Sequence, residues 1–307
     1  MSVASHAMID RARKRLADLD RWSDRHRQLR VARGAITGFS AHDGLHTAGS
    51  MAYFAVLSIF QVLVLGIVVL SFFVGSGQAR QFIVNQVQAG TPLDRATVAG
   101  VIDSVVSSRG GISLIGFVLL LWSALGFFSA LNRGIVRAFG ITKTRPFWAD
   151  KLVGLLLMGV VGLLVVASIA IGIVTGIVQN AAADVVAGVP GGRLALVAIG
   201  FALPVVLIFV AFLFMYRVVP NRRVTTAEVW PGAVLATVLW TALRVGFTSY
   251  ATNIARYNTA FGPISAAISL LVFLYFANVV VLLGAELARA NALEDQGRLA
   301  GFDWTLG

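Results

Sequence analysis

The residues with chemical capacity are few and widely spaced. Arg244 and Glu286 lie in or at the edge of long apolar runs near the end of a 307-residue chain. A charge facing hydrocarbon is expensive, so both are candidate functional residues. All four histidines fall within the first 46 residues, and His42 and His46 stand four apart with Asp43 between them. That spacing could put two imidazoles on one helical face, as a metal site needs. The motif is HDGLH rather than HExxH, and no third ligand is evident, so no metal is expected. The chain has no cysteine, which removes thiolate nucleophiles, Cys-ligated metals and disulfides. It also has no Walker loop and no dinucleotide fingerprint following a strand. The expectation is a protein that is not an enzyme and carries no cofactor.

The elements that must position these residues are membrane helices. The composition is 58% hydrophobic and 13% charged, with a mean hydropathy of +0.83; a soluble domain carries about 25% charged residues. Six apolar runs, at about 51–74, 112–132, 152–178, 194–217, 229–250 and 263–287, each reach the ~20 residues that cross a bilayer core. The fold class expected is all-α, a polytopic bundle of six transmembrane helices. Residues 1–50 form a basic cytoplasmic segment with an elbow helix over GAITGFSAHDGLHTAGS, and 288–307 form a short cytoplasmic tail. The run after Arg33 is too long for a signal-peptide core, so no cleavable leader is expected.

The net charge of +11 follows from this layout. Lys and Arg number nine up to residue 50, five in 133–151, three in 217–228 and two after 287. The opposite face holds three in 75–111, one in 179–193 and one in 251–262. Positive charge favours the cytoplasmic side, so both termini are expected inside, which an even number of spans allows. Nucleic acid is not needed as a partner, and no basic groove interleaved with aromatics is visible. Ile9, Ala12, Leu16, Leu19 and Trp22 recur at helical spacing, either as an amphipathic helix on anionic head groups or as a solvated tail. In 75–111, Thr91, Pro92 and Asp94 make a helix start. The apolar stripe after it packs on the outer helix ends or walls a cavity.

Within the spans, Ser168, Gly172 and Gly176 fall four apart, a stripe for close internal packing or for a second copy of the chain. Pro204 interrupts the fourth run and kinks it, as a hinge or as a shape. Gln61 lies ~15 Å into the first span, after Tyr53 and Ser58. Asn278 lies in the sixth, nearer the cytoplasm. A neighbouring helix can satisfy each of them, or each can face a substrate. Arg244 lies ~22 Å from the cytoplasmic start of its span. It either snorkels to the outer head groups or lines a polar cavity with Arg256 and Tyr257 beside it. Topology separates it from Glu286, whose expected partners are Arg217, Arg222 or Arg223 at the inner helix ends.

Several stretches carry a resemblance. DGLHTAGSMAYFAVLSIF, LIGFVLLLWSALGFFSALNRGI, YRVVPNRRV with WPGAVLATVLW, and above all FGPISAAISLLVFLYFANVVVLLGAELARA resemble the YihY/BrkB family of bacterial inner-membrane proteins. The YhjD-like branch is the most similar. The likeness covers about residues 35–290. Tyr53, Pro220, Arg222, Arg223, Gly262 and Glu286 belong to the matching motifs. The family often has proline where this chain has Gln61. The resemblance implies a six-span inner-membrane bundle. Lipid or lipopolysaccharide-precursor transport has been suggested for some members, and an old ribonuclease label attaches to the family.

Two functions fit the residues. One is a transporter or flippase of an amphipathic, anionic lipid or lipid-linked molecule, with Arg244, Arg256, Tyr257, Gln61 and Asn278 as candidate binding residues and Pro204 as a hinge. The other is a scaffold that recruits partners through its basic face, in a tightly packed bundle with no polar cavity. A membrane nuclease would need a convergent polar constellation that the sequence does not show.

Overall fold

The computed structural model describes residues 26–73, 81, 84, 99–100, 114–141, 145–181, 192–254, 262–299 and 302. The far N-terminal stripe from Ile9 to Trp22, the external helix start at Thr91 to Asp94, and Arg256 and Tyr257 lie outside these residues. Among the described residues the structure is all-helical, with seven helices: α1 (Arg27–Ala41), α2 (Gly44–Phe73), α3 (Leu114–Ala138), α4 (Phe147–Ala181), α5 (Gly192–Val218), α6 (Thr226–Ile254) and α7 (Gly262–Asp295). Each expected apolar run falls on one of α2 to α7. Three stretches, Phe147–Leu164, Thr226–Tyr250 and Ala267–Asp295, are long and apolar enough to cross a membrane. Ala202–Val218 in α5 is a shorter apolar stretch. Leu152 and Leu163 of α4 and Val238 of α6 are more than half exposed, which suits a lipid-facing surface and would be a liability in water.

Helix α7 is the hub, in contact with α1, α2, α3, α5 and α6. Its buried side chains are small where another backbone crosses: Ala285 and Ala288 are fully buried, facing Ala233 and Ala236 of α6. A Cβ on Gly232 would overlap the carbonyl oxygen of Gly284, and one on Gly284 would stand 2.8 Å from Cβ of Ala236. Without water to expel, helices in a membrane associate by such close backbone packing. Tyr216 of α5 completes the crossing: fully buried, it donates from its hydroxyl to Val281 O at 2.7 Å.

Two boundaries differ from the sequence expectation. The last helix runs eight residues past 287, to Asp295. The reason is a partner that hydropathy does not reveal. Val31, Gly34, Ala35 and Gly38 form one buried face of α1, and Val31 and Ala35 cluster with Ala290, Leu293 and Leu299. Arg27 bonds Asn291 at 3.0 Å and pairs with Asp295, and Arg30 Nε donates to Glu294 at 3.0 Å. The elbow is therefore two helices meeting at a break. His42 N–H closes α1 on Gly38 O at 2.9 Å, and Asp43 takes a left-handed φ of 52°. Gly44 then opens α2 beneath Phe39, whose ring leaves no room for a Cβ.

Candidate functional site

The polar residues gather at two stations. The first begins with Glu286 and Arg289, three apart on α7 and so on one face. Their side chains reach the α1–α2 break, where His42 is held. His42 Nδ1 lies 2.6 Å from Glu286 Oε1, and Arg289 Nη1 lies 2.8 Å from His42 Nε2. A guanidinium can only donate. The network therefore assigns Nε2 as acceptor and Nδ1–H as the donor to Glu286, a neutral imidazole between a carboxylate and a cation. Glu286 is 1% exposed, Arg289 5% and His42 8%. At that depth an unpaired charge would be destabilising, whereas one of each sign linked by hydrogen bonds is tolerated. Gly140, at φ +64° beyond the end of α3, supplies the space, because a Cβ there would overlap the Arg289 guanidinium. The Phe302 ring stands against the guanidinium, its centroid 5.2 Å from Arg289 Cζ.

This arrangement corrects the expected partners of Glu286. Arg217 donates to Thr226 Oγ1 at 3.0 Å. Arg222 stands over the Phe139 ring and 3.8 Å from Glu228, and Arg223 is exposed. Arg217 and Arg222 thus meet Thr226 and Glu228 at the start of α6 instead. Pro220 is buried in the α5–α6 link. Arg145 ties the link down by donating to Val219 O at 2.9 Å, neutralising carbonyls left over at the end of α5. The pairing of His42 with His46 also fails geometrically. The Asp43 break puts them on different helices, His42 buried and His46 exposed. Among the described residues no three His, Asp or Glu side chains come together as a metal site requires.

The second station is a cavity of about 540 Å³ between α3, α4, α5, α6 and α7. Its walls are Leu, Val, Phe and Met side chains, with Trp240, Pro204, Asn278 and Arg244 among them. Phe128, Leu157, Phe212 and Asn278 are buried and form its floor, whereas Arg244 is exposed and stands at the rim. Among the described residues Arg244 is the one charged side chain in the lining, and no described residue pairs with its guanidinium. Asn278 is anchored by Nδ2 donating to Leu274 O at 2.8 Å. The structure thus brings together Arg244, Asn278 and Pro204. Gln61 sits on α2, outside the lining, with its Oε1 unpartnered among the described residues. Tyr53 is 59% exposed on the same helix. Gly262 is the first residue of α7.

The virulence factor BrkB family matches residues 35–301, a range that holds both stations and every described helix except the start of α1. The chain belongs to this family. Its relatives include a UPF0761 membrane protein, VSAL_I2938, of Aliivibrio salmonicida, 30% identical over 261 residues, 83% of this chain and 81% of that protein. The putative ribonuclease-like protein YfkH of Bacillus subtilis is 23% identical over 256 residues, 83% of this chain and 91% of that one. A UPF0761 membrane protein of Alkalilimnicola ehrlichii is 28% identical over 257 residues, but the chain spans only 55% of its length. No solved structure matches. The BrkB resemblance read from the GAELARA ending is therefore confirmed, and the protein is a helical membrane protein.

Proposed function

We propose that the chain is a six-span protein of the bacterial inner membrane, with both termini in the cytoplasm, that carries an amphipathic anionic lipid or lipid-linked molecule across the bilayer. The observation that supports it is the large cavity. At about 540 Å³ it lies within the ~300–1,000 Å³ typical of ligand pockets. Its apolar floor suits an acyl chain, and the rim cation Arg244 suits the charged head. Pro204 in its wall removes one helical hydrogen bond from α5, a place where that helix can bend to open or close the space. In this reading the chain performs no covalent chemistry, and anionic lipid is its partner.

The test is lipid movement in proteoliposomes carrying a fluorescent anionic phospholipid or its zwitterionic counterpart. The wild-type chain moves the anionic lipid faster than protein-free vesicles do. Arg244→Gln slows this roughly tenfold or more, the loss expected for one charged hydrogen bond. Movement of no lipid class above the empty vesicles, or an unchanged Arg244→Gln, overturns the proposal.

A further inference from the structure

Besides the large cavity, the bundle holds a much smaller space beside the first station. It measures about 10 Å³, and its lining includes Thr47, Glu286, His42, Gly134 and Arg137. That is room for about one water molecule. Two of the lining side chains carry a buried oxygen with no partner among the described residues, the Thr47 hydroxyl Oγ1 and the second carboxylate oxygen of Glu286, Oε2. Glu286 is 1% exposed, and its other oxygen is committed to His42. The two residues that carry these orphaned atoms, on α2 and α7, both line one water-sized void.

We infer that this void is a binding site for a single water molecule that bridges Thr47 and Glu286. The chemistry selects water. A hydroxyl can donate to it, a carboxylate oxygen can accept from it, and two polar partners are the minimum that hold a buried water. The void is too small for an anionic head group, and Glu286 would repel one. A metal ion would need more oxygen ligands than the two unpartnered ones. The charges around it balance without a further ion: Glu286 is matched by Arg289 through His42, and Arg137 is 3.3 Å from Asp43 at the surface. The water joins α2 to the cluster that already links α7 with the α1–α2 break.

Replacing Thr47 by its apolar isostere separates a wet site from a dry one by the sign of the effect. If water bridges the pair, Thr47→Val strands Glu286 Oε2, and the melting temperature of the full chain in detergent falls by about 3 °C. Thr47→Ser, which keeps the hydroxyl, loses less than half as much. If the void is dry, Thr47→Val removes an unpaired buried hydroxyl and the melting temperature holds or rises. That result overturns the inference. Should Thr47→Val fail to fold, the wild-type protein decides. In a density map that shows ordered waters elsewhere in the bundle, a peak between Thr47 Oγ1 and Glu286 Oε2 supports the site, and an empty void refutes it.

Discussion

At the scale of single residues, the Glu286–His42–Arg289 cluster is the place where one atom matters most. Arg289→Ala leaves the Glu286 carboxylate buried without its cation, a change that costs about 3–5 kcal/mol. The double variant Glu286→Gln/Arg289→Met recovers much of that loss, because a buried pair can be exchanged for neutral groups at little net cost. Unfolding in detergent followed by tryptophan fluorescence measures both, and strictly additive losses would show that the two residues do not act through His42. Little of this cluster was legible in the chain. Glu286 stood out as a charge in an apolar run, but its partner lies 244 residues away. His42 entered only as one of an i, i+4 pair from which no metal was expected, and the Asp43–Gly44 pair in HDGLH, a turn signal, was the overlooked mark of the helix break. The Glu286–Arg289 spacing was the available signal, two opposite charges three apart on one helical face.

At the scale of elements, the α6–α7 hairpin depends on backbone proximity rather than on bulky side chains. Gly232→Val drives its new side chain into the Gly284 carbonyl and to within 2.9 Å of Cβ of Ala288. The helices must separate, at a cost of about 1–3 kcal/mol. Gly246, on the same helix, faces open space, with no atom within 4 Å of where a Cβ would stand. Gly246→Ala therefore leaves stability unchanged or raises it by up to about 1 kcal/mol through helix propensity. Thermal unfolding of the two variants side by side tests this contrast. The helices themselves were plain in the sequence, because ~20 apolar residues announce a span regardless of neighbours. Their registers were not. Small residues mark where backbones meet but carry no address for the partner, so the Gly232–Gly284 crossing emerges only in three dimensions. Arg244 could be placed at its depth, but whether it met a cavity depended on Phe128, Leu157 and Phe212 from three other helices.

At the scale of the whole molecule, the proposed topology has a direct readout, because the chain contains no cysteine of its own. A single Arg223→Cys is labelled by a membrane-impermeant maleimide in inverted vesicles and not in intact cells. A single Asn253→Cys shows the opposite pattern, and the reverse of either result contradicts the orientation. The two ends of the described chain are joined: Arg27 at the start of α1 meets Asp295 at the end of α7, 268 residues later. That join places a delay in the making of the protein. At roughly 5–20 residues per second, α1 leaves the ribosome ~15–55 s before its binding surface on α7 exists. Over that interval Val31 and Ala35 of α1 lack their α7 neighbours Ala290 and Leu293, and His42 has neither Glu286 nor Arg289. A chain cut short before Ala290 of α7 therefore lacks both Ala290 and Leu293, the α7 residues that bury Val31 and Ala35 of α1.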